Sequence, residues 1–306
     1  MGLSAGPVAS GGLCYNDSVL DAAGPELVSG VRRWWPEVAR DLPWRDVRDP
    51  WAILVSETMA QQTQVARVVP KWEAFLARLP TPAAAAEAGV GAVVELWDGL
   101  GYNRRAVQLH GCAVAIVERH DGVVPDDLES LLALPGVGPY TARAVLAFAH
   151  ERDVAVLDTN VGRVLARWVG RSLPPKDAQA LADSLVPVDA GWEWNQAILD
   201  FGAMQCTKKN PDCAQCPVST WCSWAGVGPD PAIGSAAVSR GQSRFEGSDR
   251  QGRGRLVAAL RRGPVVDGAL ADVMGWPEDH ARAHRVAATL LDDGLAARQN
   301  GAWTLP

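Results

Sequence analysis

A chain of 306 residues with 48% hydrophobic and 21% charged side chains is long enough for two or three domains around a sizeable core. No run approaches the roughly 18 apolar residues of a membrane helix, so a helical membrane protein is excluded. The net charge of −6 argues mildly against nucleic acid as partner, although a whole-chain sum cannot see a single basic face.

Residues 1–18 lack a basic segment followed by an apolar one, so they read as a flexible leader and the protein as cytoplasmic. A helix is expected over 19–40, with Val28, Val31, Trp34, Trp35 and Val38 forming its apolar stripe and Pro36 kinking or splitting it. Residues 51–69 have no interior Gly or Pro and end before Pro70, which predicts a helix in one or two pieces. Glu57 lies in this stretch among Ile53, Leu54 and Met59. Such a carboxylate is either on the polar face, which periodicity favours, or in a pocket with a raised pKa. The run Gln61, Gln62, Thr63, Gln64 is rich in paired donors and acceptors, suited to bases or phosphates or to a solvated turn.

Helices are expected at 71–79, 82–89, 91–98 and 104–119, with a turn at 99–102. The stretch LLALPGVGPYTARAVLAFAH follows. Leu131, Leu132 and Leu134 end one apolar helix, and Ala142, Val145, Leu146 and Ala149 line the next. Gly136, Val137 and Gly138 make a tight hairpin between them, with Pro139 in the first turn of the second helix. Glycines there leave backbone N–H groups uncovered at a helix N-terminus, where a phosphate oxygen can bind. Asp158 comes next in an apolar-flanked VLDTN, as an N-cap of a helix at 161–169 or as a functional carboxylate.

Helices at 176–186 and 191–204 lead to Cys206-x6-Cys213-x2-Cys216-x5-Cys222. In a chain without a secretion signal, clustered cysteines favour metal over disulfides. Four thiolates in so short a span, with no histidine near, suit a [4Fe–4S] cluster, and zinc is the alternative. Cys14 and Cys112 read as ordinary thiols. Residues 227–239 are a Gly-, Ala-, Pro- and Ser-rich linker, and seven arginines lie between Arg240 and Arg262. Helices at 255–262, 267–275 and 277–293, then two strands around Asn300 and Gly301, suggest a small separate winged-helix unit.

Together LPWR at 42–45, SETMAQQTQV at 56–65, GLGY at 99–102, LPGVGPYTA at 134–142, LDTNVGRV at 157–164, NQAILDFGAMQC at 195–206 and the cysteine spacing resemble the MutY family of adenine DNA glycosylases, in the endonuclease III superfamily. The resemblance covers about residues 30–225. It implies a mainly α, two-lobed helix–hairpin–helix fold: a six-helix barrel over 46–154 carrying the hairpin at 129–150, and an iron–sulfur domain from 19–45 and 155–226. A linker at 227–253, arginine-rich at its end, and the winged-helix-like unit at 254–306 would follow. It further implies monomeric base-excision repair on duplex DNA with adenine opposite 8-oxoguanine or guanine, a [4Fe–4S] cluster, and a monovalent cation at the hairpin. A replication or repair protein is a further partner open to the C-terminal unit.

Cleaving adenine from its sugar needs an acid for the leaving base and negative charge beside the oxocarbenium sugar. Glu57 and Asp158 match those positions, and Tyr140 and Asn160 match residues that hydrogen-bond near or orient Asp158. Tyr140 also stands where related lyases carry a Schiff-base lysine, which implies a monofunctional enzyme. Leu42, Trp44, Arg45 and Gln196 match an adenine pocket, and Gln62 a wedge into the duplex. Gln61, Thr63, Tyr102, Gly136, Val137 and Gly138 are further DNA contacts, and Cys206, Cys213, Cys216 and Cys222 the cluster ligands. The chain departs from the family in having Asn103 for a stacking tyrosine, and in a C-terminal unit much shorter than the usual 8-oxoguanine-reading domain. Removal of thymine or uracil opposite guanine is the alternative within the superfamily, and a non-catalytic cluster-containing DNA-binding protein the alternative outside it.

Overall fold

The protein is described by a computed structural model over residues 18–235 and 244–306. Cys14, Arg240, almost all of the expected leader and residues 236–243 of the expected linker lie outside the described residues. The chain is mainly helical, with one small sheet at its C-terminal end. Its apolar side chains form two buried clusters.

The smaller cluster joins α1 (Ser18–Trp34), α8 (Thr159–Val169), α9 (Pro175–Ser184) and α10 (Gly191–Asp200). Leu27 and Val31 of α1 are fully buried, and Trp34 meets Phe201 edge-on at 5.5 Å. The helix stops at Trp34 rather than near residue 40, because Pro36 cannot continue the hydrogen-bond ladder and starts a short 3-10 turn.

The larger cluster is built on α2 (Pro50–Ala60), α3 (Val65–Arg78), α4 (Pro82–Leu96), α5 (Arg104–His120), α6 (Leu128–Leu132) and α7 (Pro139–Phe148). Asp49 caps α2, accepting from the amides of Trp51 (2.7 Å) and Ala52 (3.0 Å), with Pro50 in the first turn. Every residue from Trp51 to Met59 is buried. Burying Trp51, Ile53, Leu54 and Met59 contributes roughly 1.5–3 kcal/mol each, against about 1 kcal/mol for the cap. Packing therefore decides where α2 lies. The expected stretch 51–69 breaks at Gln61–Gln64, and α3 then runs on through Pro70 to Arg78. Val68, Trp72 and Phe75 are buried on both sides of that proline, and their packing outweighs the one bond it removes. Helix α4 spans the two helices expected at 82–89 and 91–98, with Gly89 at φ 76° marking the kink between them.

Beyond the described gap, α11 (Asp249–Leu260), α12 (Leu270–Met274) and α13 (His280–Asp292) precede β2 (Ala297–Gln299) and β3 (Ala302–Thr304). A two-residue strand β1 (Val265–Val266), too short to leave a sequence pattern, pairs antiparallel with β3, giving the order β1-β3-β2. This unit is not separate in its packing. Leu256, Val257, Leu260 and Leu290 belong to the same buried cluster as the barrel helices. Arg261 fastens it, donating to the carbonyl of Val94 (3.1 Å), to Asp98 (2.7 Å) and to the Asn103 side-chain oxygen (3.1 Å). The departure at Asn103 has this physical correlate: the side chain is part of the seam between barrel and C-terminal unit.

Candidate active site

Helices α2 and α7 pack closely and bring the first two candidate groups, Glu57 and Tyr140, together. Glu57 is 8% exposed, contrary to the polar face that periodicity favoured. Because α2 is enclosed on all sides it has no polar face, and an alternation argument has nothing to act on. The Tyr140 hydroxyl donates to Glu57 Oε2 at 2.8 Å. Burial raises the Glu57 carboxyl to about 7; the bond from Tyr140 lowers it in part, and the nearby Asp158 charge raises it further. Burial, then the Glu57 and Asp158 charges, push the Tyr140 phenol well above its usual range, so it stays a donor. Beside it, Thr141 Oγ1 accepts from Gln61 Nε2 at 3.2 Å.

Asp158 is the N-cap of α8. One carboxylate oxygen caps α8, accepting from the amides of Asn160 (2.8 Å) and Val161 (2.7 Å). The other accepts from Asn160 Nδ2 at 2.7 Å. Burial raises its pKa, and the bonds from Val161 and Asn160 oppose that rise. Asn160 is held in turn by Arg163, which donates to its side-chain oxygen (3.0 Å), to the Gly202 carbonyl and to the Cys206 carbonyl (2.9 Å). Gly202 lies in the wide turn Phe201–Gln205 that continues α10, and a Cβ there would come within 2.8 Å of the Asn160 Cβ. Arg163→Ala would strand the buried Gly202 carbonyl and the Asn160 side-chain oxygen, costing roughly 1–3 kcal/mol of stability. Thermal unfolding checks this, and an unchanged melting temperature would contradict it.

Leu42 and Trp44 are buried, and Trp44 meets Trp72 edge-on at 5.8 Å. Arg45 is buried and fully engaged: its guanidinium donates to Gln196 Oε1 (2.8 Å) and forms a two-pronged pair with Asp200 (2.8 and 2.9 Å). Asp200 is 0% exposed and also accepts from Trp35 (3.0 Å) and Arg40 (2.6 Å). Burial alone would raise its pKa, but the bonds from Arg45 and Trp35 and the charges of Arg40 and Arg45 outweigh that and lower it. The sequence reading missed Asp200, whose one signal was its place in LDFG between apolar neighbours.

Arg105 was missed as well. It is buried and donates to the carbonyls of Thr58 (2.8 Å), Met59 (3.0 Å) and Gln61 (2.6 Å), closing the C-terminal end of α2. It also reaches Thr63 Oγ1 (3.1 Å) and the carbonyls of Leu100 (3.3 Å) and Gly101 (3.1 Å). One side chain thus fixes both the Gln61–Gln64 turn, with Gln62 at φ 55°, and the turn carrying Tyr102.

At the hairpin, Gly136 has φ 75° and sits against α5, where a Cβ would lie 2.7 Å from Gln108 Cβ. Val137 is buried and anchors the turn, and Gly138 is the N-cap of α7 with Pro139 behind it. The phosphate-ready end of α7 and the residue bonded to Glu57 are therefore two positions apart on one helix.

Cys206, Cys213, Cys216 and Cys222 line a single cavity. Among the described residues no three acids, thiols or imidazoles are grouped to hold one metal ion. The Arg167 guanidinium, over the Trp224 ring at 4.5 Å, donates to Cys206 Sγ (3.3 Å), and the Ala225 amide donates to Cys222 Sγ (3.4 Å). Four cysteines around one cavity, with cationic and amide donors to two of their sulfurs, fit a bulky, negatively charged thiolate-bound group rather than a single ion.

Residues 55–188 match the family described as HhH-GPD superfamily base excision DNA repair protein. The chain is 44% identical to the adenine DNA glycosylase of Mycobacterium tuberculosis, over 92% of this chain and 95% of that one. It is also 44% identical to that of Mycolicibacterium smegmatis, over 86% and 89%. Among solved structures, a thermostable thymine-DNA glycosylase superposes with a TM-score of 0.64 at 28% identity, over 68% of this chain and 98% of that one. The chain is thus a helix–hairpin–helix base-excision repair protein. Within that superfamily it belongs to the adenine DNA glycosylases.

Proposed function

We propose that the protein is a monofunctional glycosylase that flips adenine out of duplex DNA and hydrolyses its N-glycosidic bond, acting on adenine opposite 8-oxoguanine or guanine. The observation that carries this is Glu57: buried, held by Tyr140, and raised to about 7 beside a second carboxylate, Asp158. Such a group is a general acid at neutral pH. A pyrimidine leaving base would not need one, which disfavours thymine or uracil, and a silent DNA-binding protein would need neither carboxylate.

The flipped adenine lies against Leu42 and Trp44, with Arg45 and Gln196 fixing that wall. Glu57 gives its proton to N7 of the base, and the glycosidic electron pair leaves with the purine. Asp158, oriented by Asn160, offsets the positive charge that grows on the sugar or bonds to it transiently, and water completes hydrolysis. Tyr140 keeps Glu57 in place and carries no amine, so no Schiff base forms and the strand is not cut. The amides around Gly136–Gly138 would hold a backbone phosphate of the adenine strand, and a monovalent cation bound at the hairpin would add positive charge there. Cys206, Cys213, Cys216 and Cys222 would hold a [4Fe–4S] cluster, which when bound ties residues 206–222 into one loop and so presents Lys208 and Lys209 to phosphate.

The pH dependence tests the acid. Glu57 has to be protonated, so base release falls as pH rises through about 7. Asp158 has to be ionised, so release also falls on the acid side, giving a bell. Removing the Tyr140 hydroxyl removes a bond that lowers the Glu57 pKa, so in Tyr140→Phe the alkaline limb moves to higher pH. Single-turnover rates across this range check both expectations, and a rate flat through pH 7 would refute the assignment of the acid. Borohydride trapping should give no covalent adduct.

A further inference from the structure

Residues 149–158 link α7 to α8 and end on Asp158, the cap of α8. Val154 and Val156 pack into the larger buried cluster, and Ala155 and Leu157 into the smaller one. This alternation means that the segment runs extended along the seam between the two. It is paired with no strand among the described residues, so side chains have to satisfy its backbone. We propose that Asn195 of α10 is a positioning residue for the reaction. It fastens the segment that carries Asp158 to the helix that carries Gln196, and so sets the carboxylate against the flipped adenine. The inference rests on the glycosylase reading above and gives a part in it to a residue too buried to touch the base.

Asn195 is 1% exposed. Its Oδ1 accepts from the Val156 amide (2.8 Å), and its Nδ2 donates to the Val154 carbonyl (2.8 Å). One side-chain amide thus grips both sides of Ala155, as a neighbouring parallel strand would. Nδ2 also donates to the Gly191 carbonyl, one turn back in α10 (2.7 Å). Both donors are therefore used, and a flipped amide would set its oxygen against two carbonyls. Asp183 and Arg143 bond Ala155 itself, but at 3.2 and 3.3 Å, and the Asp183 side chain is 40% exposed. Asn195 is the buried fastening.

The start of α10 lies equally close to the segment. A Cβ on Gly191 would come within 2.6 Å of the Arg152 carbonyl oxygen and 2.8 Å of the Asp153 Cα, so a glycine is needed for this approach. Asp153 in turn accepts from the Gly191 amide (2.9 Å). Gln196, the next residue after Asn195, accepts from Arg45 Nε (2.8 Å) in the wall assigned to adenine. Successive residues of one helix therefore hold the base wall and the segment of Asp158. The carboxylate lies two residues past the Val156 bond, so a shift of the segment passes directly to it.

The test is a double-mutant cycle on single-turnover adenine release by the full, cluster-loaded chain. Asn195→Ala should slow release roughly 10- to 100-fold, the scale of a displacement of about 1 Å at a reacting centre, and leave duplex affinity unchanged. In an Asp158→Asn background the charge to be placed is gone, and the same change should cost nothing further. Gly191→Ala keeps the bonds of Asn195 and crowds the segment. It should show a smaller loss with the same dependence on Asp158, and it decides the question if Asn195→Ala does not fold. Equal losses in both backgrounds, or a full rate in a variant with a lowered melting temperature, would overturn the positioning role. Failure of the wild type to release adenine from any duplex would instead overturn the glycosylase reading.

Discussion

Glu57→Gln is expected to slow adenine release about 10²- to 10⁴-fold, the usual contribution of a positioned general acid. The amide fills the same space on α2 and still accepts the Tyr140 hydroxyl bond, so shape and packing are kept and the proton is lost. The same change should make the protein more stable above neutrality. The folded-state pKa of Glu57 is raised from 4.5 to about 7, so between those values the folded chain binds more protons than the unfolded one. Stability therefore falls as pH rises through this window, by up to about 3 kcal/mol once both states are ionised. Glutamine has no charge to bury. The variant should unfold at a higher temperature than wild type above about pH 7 and lose that advantage toward pH 4. A loss of activity accompanied by a loss of stability at alkaline pH would mean that Glu57 is held as a structural group.

Asp158→Asn separates the two purposes of that residue. Asparagine is about as good an N-cap as aspartate, so the bonds to the Asn160 and Val161 amides survive and α8 keeps its start. The negative charge beside the sugar does not survive. The expected outcome is a melting temperature within a few degrees of wild type and a single-turnover rate lower by about 10³-fold, the scale of removing a preorganised electrostatic group. Asp158→Ala should show the same rate defect plus about 1 kcal/mol of lost stability. An Asn variant that kept most of its activity would reduce Asp158 to a cap.

Much of this architecture was legible because local signals and tertiary packing agree. The hairpin glycines, the cap at Asp158, and the apolar stripes of α1 and α7 all placed helices near where they lie. The cysteine spacing brought four thiols to one cavity. Glu57 was misread on periodicity because a fully enclosed helix has no polar side, and Pro70 was misread because a proline in a well-packed helix can be outweighed. The partners of three arginines were not legible. Arg105 and Arg163 donate chiefly to backbone carbonyls, which leave no mark in the sequence, and Arg261 reaches a carbonyl and two side chains of the barrel across more than 150 residues. Those three side chains fix, respectively, the Gln61–Gln64 turn, the orientation of Asn160 and the seat of the C-terminal unit.

The most direct test is single-turnover base release by cluster-loaded protein from duplexes with adenine opposite 8-oxoguanine, guanine and cytosine, wild type beside Glu57→Gln. Free adenine from wild type alone, fastest opposite 8-oxoguanine and without strand cleavage, is the predicted result. No adenine from any of the three duplexes, or equal release by the glutamine variant, would contradict it.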